Sequence, residues 1–165
     1  MTALDRVPPR TDDGRLRTIV ETPQGSRNKL KYEPIDEVFR VSCSLPAGMA
    51  FPFDFGFIPS TRGEDGDSLD VLILLDAPAY PGCLVDIKLL GVLEAEERER
   101  SGRSVRNARL IAVAKGSTER GALKHLKDLA PNLMRQIESF FVTYDGLEGK
   151  SFKPAGCAGQ SEPRA

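Results

Sequence analysis

The chain has few of the residues on which several common kinds of site depend. Its 165 residues include a single histidine, His125, so a Ser-His or Cys-His nucleophile system has only one candidate base. Its three cysteines, Cys43, Cys83 and Cys157, are widely separated and form no C-x-x-C pair, which argues against a disulfide framework or structural zinc site and fits a reducing cytoplasm. No apolar run is longer than Val71–Leu75, far short of a membrane span. Carboxylate chemistry is therefore the chemistry to expect.

The charges nearly cancel, because 23 Lys and Arg face 24 Asp and Glu for a net charge of −1. A nucleic-acid module usually carries a clear basic excess, so this balance disfavours that class. The first ten residues lack the apolar stretch of a signal peptide, and we expect a cytoplasmic protein. The length suits one domain, predicted over residues 15–153, with a mobile N-terminal arm at 1–14 and a flexible tail at 154–165.

Short apolar or alternating runs predict strands at 16–21, 29–33, 38–45, 69–75, 84–94 and 110–114. An aromatic, proline-bounded segment at 51–59 reads as extended, and a charged hairpin loop is predicted at 98–106. Helices are predicted late, a short one at 119–129 and a better one at 131–144. The second has Pro131 in its first turn and one apolar face: Leu133, Ile137, Phe140, Phe141 and Tyr144. This order favours an α+β domain built on a small closed barrel.

The most informative stretch is the acidic cluster Asp65-Gly-Asp-Ser-Leu-Asp70, at the entrance to a predicted buried strand. Its three carboxylates repel one another unless water or cations separate them. Oxygen ligands of this kind suit Mg²⁺, Mn²⁺ or Ca²⁺, and Mg²⁺ typically adds substrate phosphates to its shell. The alternative is a turn in which the Asp side chains cap backbone amides. Glu94, Glu96 and Glu97 could bring another carboxylate to the same rim, or could form a solvated strand end.

The order and spacing of several segments resemble the soluble family I inorganic pyrophosphatases. The resemblance covers roughly residues 16–152 and rests on Glu21, Lys31-Tyr32-Glu33, Phe51-Pro52-x-x-Phe55-Gly56-Phe57-Ile58-Pro59, Asp65-Gly66-Asp67-x-x-Asp70-Val71, Pro81-Gly82, the Arg109 strand and Phe140-Phe141-x-x-Tyr144. It implies an OB-like five-stranded closed β-barrel with flanking C-terminal helices. It also implies a Mg²⁺-dependent hydrolase of inorganic diphosphate, with Mn²⁺ as a substitute, and a homo-oligomer, commonly a hexamer in bacteria.

The resemblance also implies a role for each matching residue. Asp65, Asp70 and Glu97 match metal ligands, and Asp67 matches the general base beside the nucleophilic water. Three side chains match positions that hold phosphate oxygens, and two acids match supporting positions: Lys31, Arg109 and Tyr144, then Glu21 and Glu33. The chemistry agrees, because water attack on a highly charged diphosphate needs cations and a nearby base.

Several positions depart from the family pattern. Cys43 stands where the family has a phosphate-binding Arg, and a thiol cannot supply a charged, bidentate contact. Phe51 and Phe55 replace tyrosines, Asn107 stands at a metal-binding Asp, and Asp145 follows Tyr144 where a Lys is often found. Four arginines of the charged hairpin could compensate, or could belong to a solvated loop: Arg98, Arg100, Arg103 and Arg106.

Three functions remain open on the sequence. The first is hydrolysis of diphosphate. The second is a pyrophosphatase-like protein that binds diphosphate or a nucleotide without efficient turnover, which the departures motivate. The third is an OB-type single-strand binder that stacks bases on Phe51, Phe53, Phe55 and Phe57, which the near-neutral charge disfavours.

Overall fold

The computed structural model describes residues 3–64, 66–98, 100–106, 108–147 and 151–158, with Val105 and the last range described by their backbone alone. The strands are β1 (Leu16–Thr22), β2 (Asn28–Glu33), β3 (Val38–Ser44), β4 (Asp54–Ile58), β5 (Leu69–Leu74), β6 (Leu84–Arg98), β7 (Ser104–Arg106), β8 (Arg109–Ala114) and β9 (Ser151–Ala158). The helix α1 spans Pro131–Leu147, and 3₁₀ turns lie at Leu4–Arg6 and Leu126–Asp128.

Five strands close into a barrel in the order β1-β4-β5-β8-β6, and β6 pairs back onto β1. All of these pairs are antiparallel except β5–β8, which is parallel. Strands β7 and β9 pair with the far end of β6, and β2–β3 form a separate hairpin. The predicted α+β fold with a five-stranded closed barrel is confirmed.

The central strands are buried on both faces, which is why they read as continuous apolar runs rather than alternating ones. One face of each strand fills the barrel, with Val71, Ile73, Leu110 and Ala112 in a single cluster. The opposite face packs against α1: Leu72, Leu74, Leu93, Ile111 and Val113 contact the cluster that includes Ile137 and Phe141. The alternation of strand side chains therefore decides which residues face α1.

The helix α1 covers this second face with the apolar stripe predicted from its spacing. Ile137, Phe141 and Tyr144 are buried, and Leu133 and Phe140 are partly buried. The aromatic rings pack against one another, with Phe51 at 5.0 Å from Phe55 and at 5.7 Å from Tyr144 between ring centroids. The positions where the family pattern has tyrosines thus keep their ring packing. Burial of Phe51, Phe53 and Phe57 also removes the stacking platform on which a single-strand binder would depend.

The prediction of a helix at 119–129 is wrong. That segment forms turns and the single 3₁₀ turn at Leu126–Asp128. Asp128 accepts the backbone N–H groups of Lys124 and His125 at 3.0 Å, donors that would otherwise enter a helix. Asp76 holds the start of the segment by accepting the N–H of Thr118 at 2.8 Å. His125 is exposed on this segment.

The N-terminal segment differs from the mobile arm predicted for residues 1–14. Leu4 and Val7 pack on the cluster formed by Ile19, Tyr32 and Phe57. The backbone N–H of Leu4 donates to the Tyr32 hydroxyl at 3.2 Å. The Ser60 N–H donates to the carbonyl of Asp5 at 2.9 Å. Apolar burial and backbone hydrogen bonds therefore hold the segment against the barrel.

The C-terminal segment also differs in part from the flexible tail predicted for 154–165. Residues 154–158 continue β9, which pairs antiparallel with β6. Pro154 is tolerated because it lies beside a shift in register between Glu94 and Ala95, and an irregularity of this kind accommodates a residue without an N–H. Residues 159–165 lie outside the described residues. Within the described part of the chain, no helix combines the length and apolar character needed to cross a bilayer.

A close approach of β4 to β1 makes Gly56 a sensitive position. A Cβ at Gly56 would lie 2.2 Å from the carbonyl oxygen of Ile19, which is backbone and cannot move aside. We expect Gly56→Ala to lower the free energy of unfolding by about 3 kcal/mol or more, measured by urea denaturation. Gly146→Ala is the matched control, because its Cβ would enter open space on α1 and alanine favours helix by up to about 1 kcal/mol. Equal effects of the two substitutions would contradict this reading of the β1–β4 contact.

Candidate active site

The candidate site lies at the seam between the barrel and α1. Asp70 is the second residue of β5, Arg109 is the first residue of β8, and Glu97 lies near the end of β6. Leu72, Ile111 and Leu93 lie on the same three strands, each an even number of positions from one of these charged residues, and all pack in the cluster with α1. Because side chains alternate along a strand, the charged residues lie on the side of α1 as well. The parallel register places Val71 opposite Leu110, so Asp70 and Arg109 are neighbours at the same end of the barrel.

Arg109 bridges two of the acids predicted to bind metal. Its Nη1 donates to Oδ2 of Asp70 at 2.5 Å, and its Nη2 donates to Oε1 of Glu97 at 3.1 Å. The guanidinium carbon lies 5.1 Å from the centroid of the Phe141 ring. The Glu97 side chain is only 9% exposed, whereas that of Asp70 is 44% exposed. Two carboxylates and an aromatic face therefore fix the position of the guanidinium.

A third acid acts on Arg109 from α1. Asp145 is fully buried, and its charge, like those of Asp70 and Glu97, favours the protonated guanidinium. Burial alone would lower the pKa of Arg109, but the three carboxylates outweigh it and hold the pKa above its ordinary value. Arg109 is thus a permanent cation that links β5, β6 and α1.

Lys31 and Asp67 form a second and much more open pair. The Lys31 Nζ lies 3.8 Å from Oδ2 of Asp67, and the two side chains are 56% and 69% exposed. Water screens a pair this exposed, so it adds little to stability. Glu33 lies two residues further along β2 on the same face as Lys31, while Tyr32 points the other way into a core cluster. Both charged groups of the pair remain accessible to a ligand.

Glu21 on β1 is a half-buried acid whose pKa is raised well above its ordinary value. Burial is the main cause, and it raises the pKa of Glu21 to about 7. The backbone N–H of Tyr32 donates to Oε2 of Glu21 at 2.6 Å and opposes this rise, whereas the negative charge of Asp70 adds to the rise. Its electrostatic coupling to Asp70 places Glu21 in the same acidic site.

A cleft of about 540 Å³ opens between β3, the charged hairpin and the end of α1. It is lined by Ser42, Cys43, Ser44, Leu45, Pro46, Arg100, Tyr144 and Leu147. Tyr144 is otherwise buried against Phe140, and the Lys29 Nζ lies 5.1 Å from its ring centroid. The structure therefore brings Tyr144, predicted to contact phosphate, to the same cleft as Cys43. It also brings Arg100, one of the four hairpin arginines, to that cleft.

Two features of the site escaped prediction from the sequence. The sequence marks Asp145 only as a departure from the family pattern, although its position after Tyr144, on the helix that covers the barrel, is a signal that it is buried near Arg109. Arg100 could not be separated from Arg98, Arg103 and Arg106, since hairpin spacing does not show which side chain turns toward the cleft. Asp65 and Asn107 lie outside the described residues, so their roles stay predictions.

The fold and this site together define a class of protein. Its members are small α+β proteins with a closed barrel, in which acidic and basic side chains form ion pairs where the barrel meets the helix. A family model described as inorganic pyrophosphatase matches residues 18–165. The inorganic pyrophosphatase of Thermus thermophilus is 34% identical over 150 residues, covering 91% of this chain and 83% of that relative. That of a Nostoc species is 31% identical over 147 residues, covering 89% and 84%.

The crystal structure of the inorganic pyrophosphatase from Thermus thermophilus has the same fold, with a TM-score of 0.87 at 31% identity. The match covers 96% of this chain and 91% of that one. The chain belongs to the inorganic pyrophosphatase family.

Members of this family depend on metal ions, and the described carboxylates fit a hard divalent cation only in part. Asp67 and Asp70 present exposed oxygen donors of the required kind. Glu97 is nearly sealed from solvent and accepts a hydrogen bond from Arg109. Among the residues that the structure describes, no group of three acids, histidines or cysteines is arranged to hold a metal.

The raised pKa of Glu21 predicts a pH-dependent stability. Because the folded state holds this proton more tightly than the unfolded state, its contribution is complete below about pH 4.5 and is lost as pH rises toward 7. Glu21→Gln removes that loss. The free energy of unfolding of the variant should therefore rise relative to that of the wild type, by up to about 3 kcal/mol as pH increases across this window. Urea denaturation in chelator-containing buffers between pH 4 and 8 measures it. Parallel wild-type and variant profiles would contradict the assignment.

Proposed function

We propose that this chain hydrolyses inorganic diphosphate to two phosphates. The observation that carries the proposal is the match to the inorganic pyrophosphatase family over residues 18–165, and the same family places the chain among the diphosphatase hydrolases. The pairs Lys31–Asp67 and Arg109–Asp70 support it, since both act on Glu21 through Lys31 and Asp70 and together they offer a base for water and cations for phosphate.

The protein's own residues divide the work of this reaction. Asp67, exposed at the rim, is the proposed general base that takes a proton from the attacking water as its oxygen bonds to phosphorus and the bridging P–O bond breaks. Lys31 and Tyr144 are the proposed contacts to phosphate oxygens, one from the open rim and one from the cleft. Arg109 is buried, so we propose that it acts on phosphate through its charge and by holding Asp70.

A bound divalent cation, for which we propose Mg²⁺ with Mn²⁺ as a substitute, would neutralise substrate charge and lower the pKa of the attacking water. Asp65 and Asp70 are its proposed ligands. Glu97, the third ligand implied by the resemblance, belongs to the same acidic site but accepts a hydrogen bond from Arg109. Glu21 and Glu33 are the proposed supporting acids.

We also propose a cytoplasmic homo-oligomer, with a hexamer as the expected form. Large apolar side chains exposed around the β2–β3 hairpin support an assembly surface there: Ile35 is 89% exposed, and Val38 and Val41 are more than half exposed.

Release of phosphate from diphosphate in the presence of Mg²⁺ tests the function. We expect Asp67→Asn to lower kcat by about 100-fold or more, because it removes the proposed proton acceptor while keeping shape and hydrogen bonding. Asp12→Asn, in the exposed turn before β1, is the matched control and should keep wild-type turnover. Wild-type turnover no higher than that of Asp67→Asn would reject hydrolysis.

The second candidate function is binding of diphosphate or a nucleotide without efficient turnover. The position of Cys43 favours it, because the cleft beside Tyr144 has a neutral thiol where the family pattern has an arginine. Arg100 lines the same cleft and supports the opposite view, that a cation from the hairpin replaces the missing one.

Cys43→Arg separates the two candidates. If the chain is a catalyst that lacks one charged contact, the substitution should raise kcat/KM by about tenfold to 100-fold, the equivalent of one charged hydrogen bond. Cys43→Gln adds similar bulk without charge and should give no such gain. A Cys43→Arg variant that binds diphosphate more tightly with unchanged turnover would favour the binding function.

A further inference from the structure

The position of the Arg109 guanidinium has a consequence for how the site is charged. Its two amino groups donate to different acids, one to Asp70 at 2.5 Å and the other to Glu97 at 3.1 Å. The guanidinium therefore lies between these carboxylates and joins them, as a cation with two oxygen ligands would. Its charge is fixed, because an arginine with this many acid neighbours stays protonated.

The surroundings leave this guanidinium little freedom to move away. The Arg109 residue is 9% exposed, the Phe141 ring lies over it at 5.1 Å, and the buried Asp145 attracts it from α1. The exposed pair of Lys31 and Asp67, at 3.8 Å, has no comparable confinement. A divalent ion placed between Asp70 and Glu97 would meet a like charge that cannot withdraw.

We propose that Arg109 is a built-in cation of the site that takes the place of a divalent ion between Asp70 and Glu97. The proposal rests on the proposed function only in taking this site as one that binds metal. Glu97 is then a positioning residue for Arg109 rather than a metal ligand. Divalent ions bind at the exposed carboxylates, and the site holds one ion fewer than its acids would otherwise allow.

Counting bound Mn²⁺ by electron paramagnetic resonance tests this without any activity measurement. Glu97→Gln keeps a hydrogen-bond acceptor for Arg109, and we expect its Mn²⁺ count and affinity to match the wild type within about twofold. Arg109→Gln removes the built-in cation, and we expect one additional Mn²⁺ per chain or at least about tenfold tighter binding.

The pair formed by Arg106 on β7 and Glu94 on β6, at 2.5 Å, supplies the matched controls. Arg106→Gln and Glu94→Gln remove the same charges from an exposed pair and should leave Mn²⁺ binding unchanged. A loss of one Mn²⁺ in Glu97→Gln would make Glu97 a ligand and overturn the proposal. An unchanged count and affinity in a folded Arg109→Gln, or no Mn²⁺ bound by any variant, would overturn it as well.

A measurement on the wild-type protein covers the case in which Arg109→Gln does not fold. In protein labelled with ¹⁵N-arginine, the Nη protons held by Asp70 and Glu97 should exchange slowly with water and keep their signals at saturating Mg²⁺. Disappearance of those signals on addition of Mg²⁺ would show that the metal displaces Arg109, contrary to the proposal. Absence of diphosphate hydrolysis alongside the expected Mn²⁺ counts would reject the proposed function and leave this inference standing.

Discussion

The positive charge of Arg109 connects the parts of this molecule that matter most. It lies where β5, β6, β8 and α1 meet, and it binds carboxylates contributed by two of the strands while a third acid faces it from the helix. A charge buried to this degree is tolerated only with close opposite charges. The seam between barrel and helix and the chemistry of the site therefore depend on the same ion pairs.

Around this seam the site divides into a confined half and an open half. Glu97, Arg109 and Asp145 are buried, and Arg109 attracts both acids, whereas Lys31 and Asp67 extend into solvent. Groups that must meet substrate and exchange protons with water belong in the open half. Groups that set the local field belong in the confined half, where water screens their charges less. The division agrees with a site that is preorganised for a polyanion.

Much of the fold followed from the sequence, because strands buried on both faces and an amphipathic helix leave clear periodic signals, as at 69–74 and 131–147. The candidate site residues came from motifs and their spacing, which point to Glu21, Lys31, Asp67, Asp70, Glu97, Arg109 and Tyr144, and their roles stay predictions. The burial of Asp145 involves Arg109, which is distant in the chain, and local patterns do not report such partners. The misplaced helix at 119–129 has a nearer cause, because Asp128 takes the backbone N–H groups of Lys124 and His125.

The single parallel pair of the barrel, β5 with β8, has a consequence for the order of assembly. Asp70 and Arg109 are 39 positions apart, and they come together only after the chain has run through β6 and returned alongside β5. Closing so long a loop is entropically slow compared with forming a hairpin. A chain in which β8 has not yet paired with β5 therefore lacks the Asp70–Arg109 ion pair, so the seam between barrel and helix is completed late in folding.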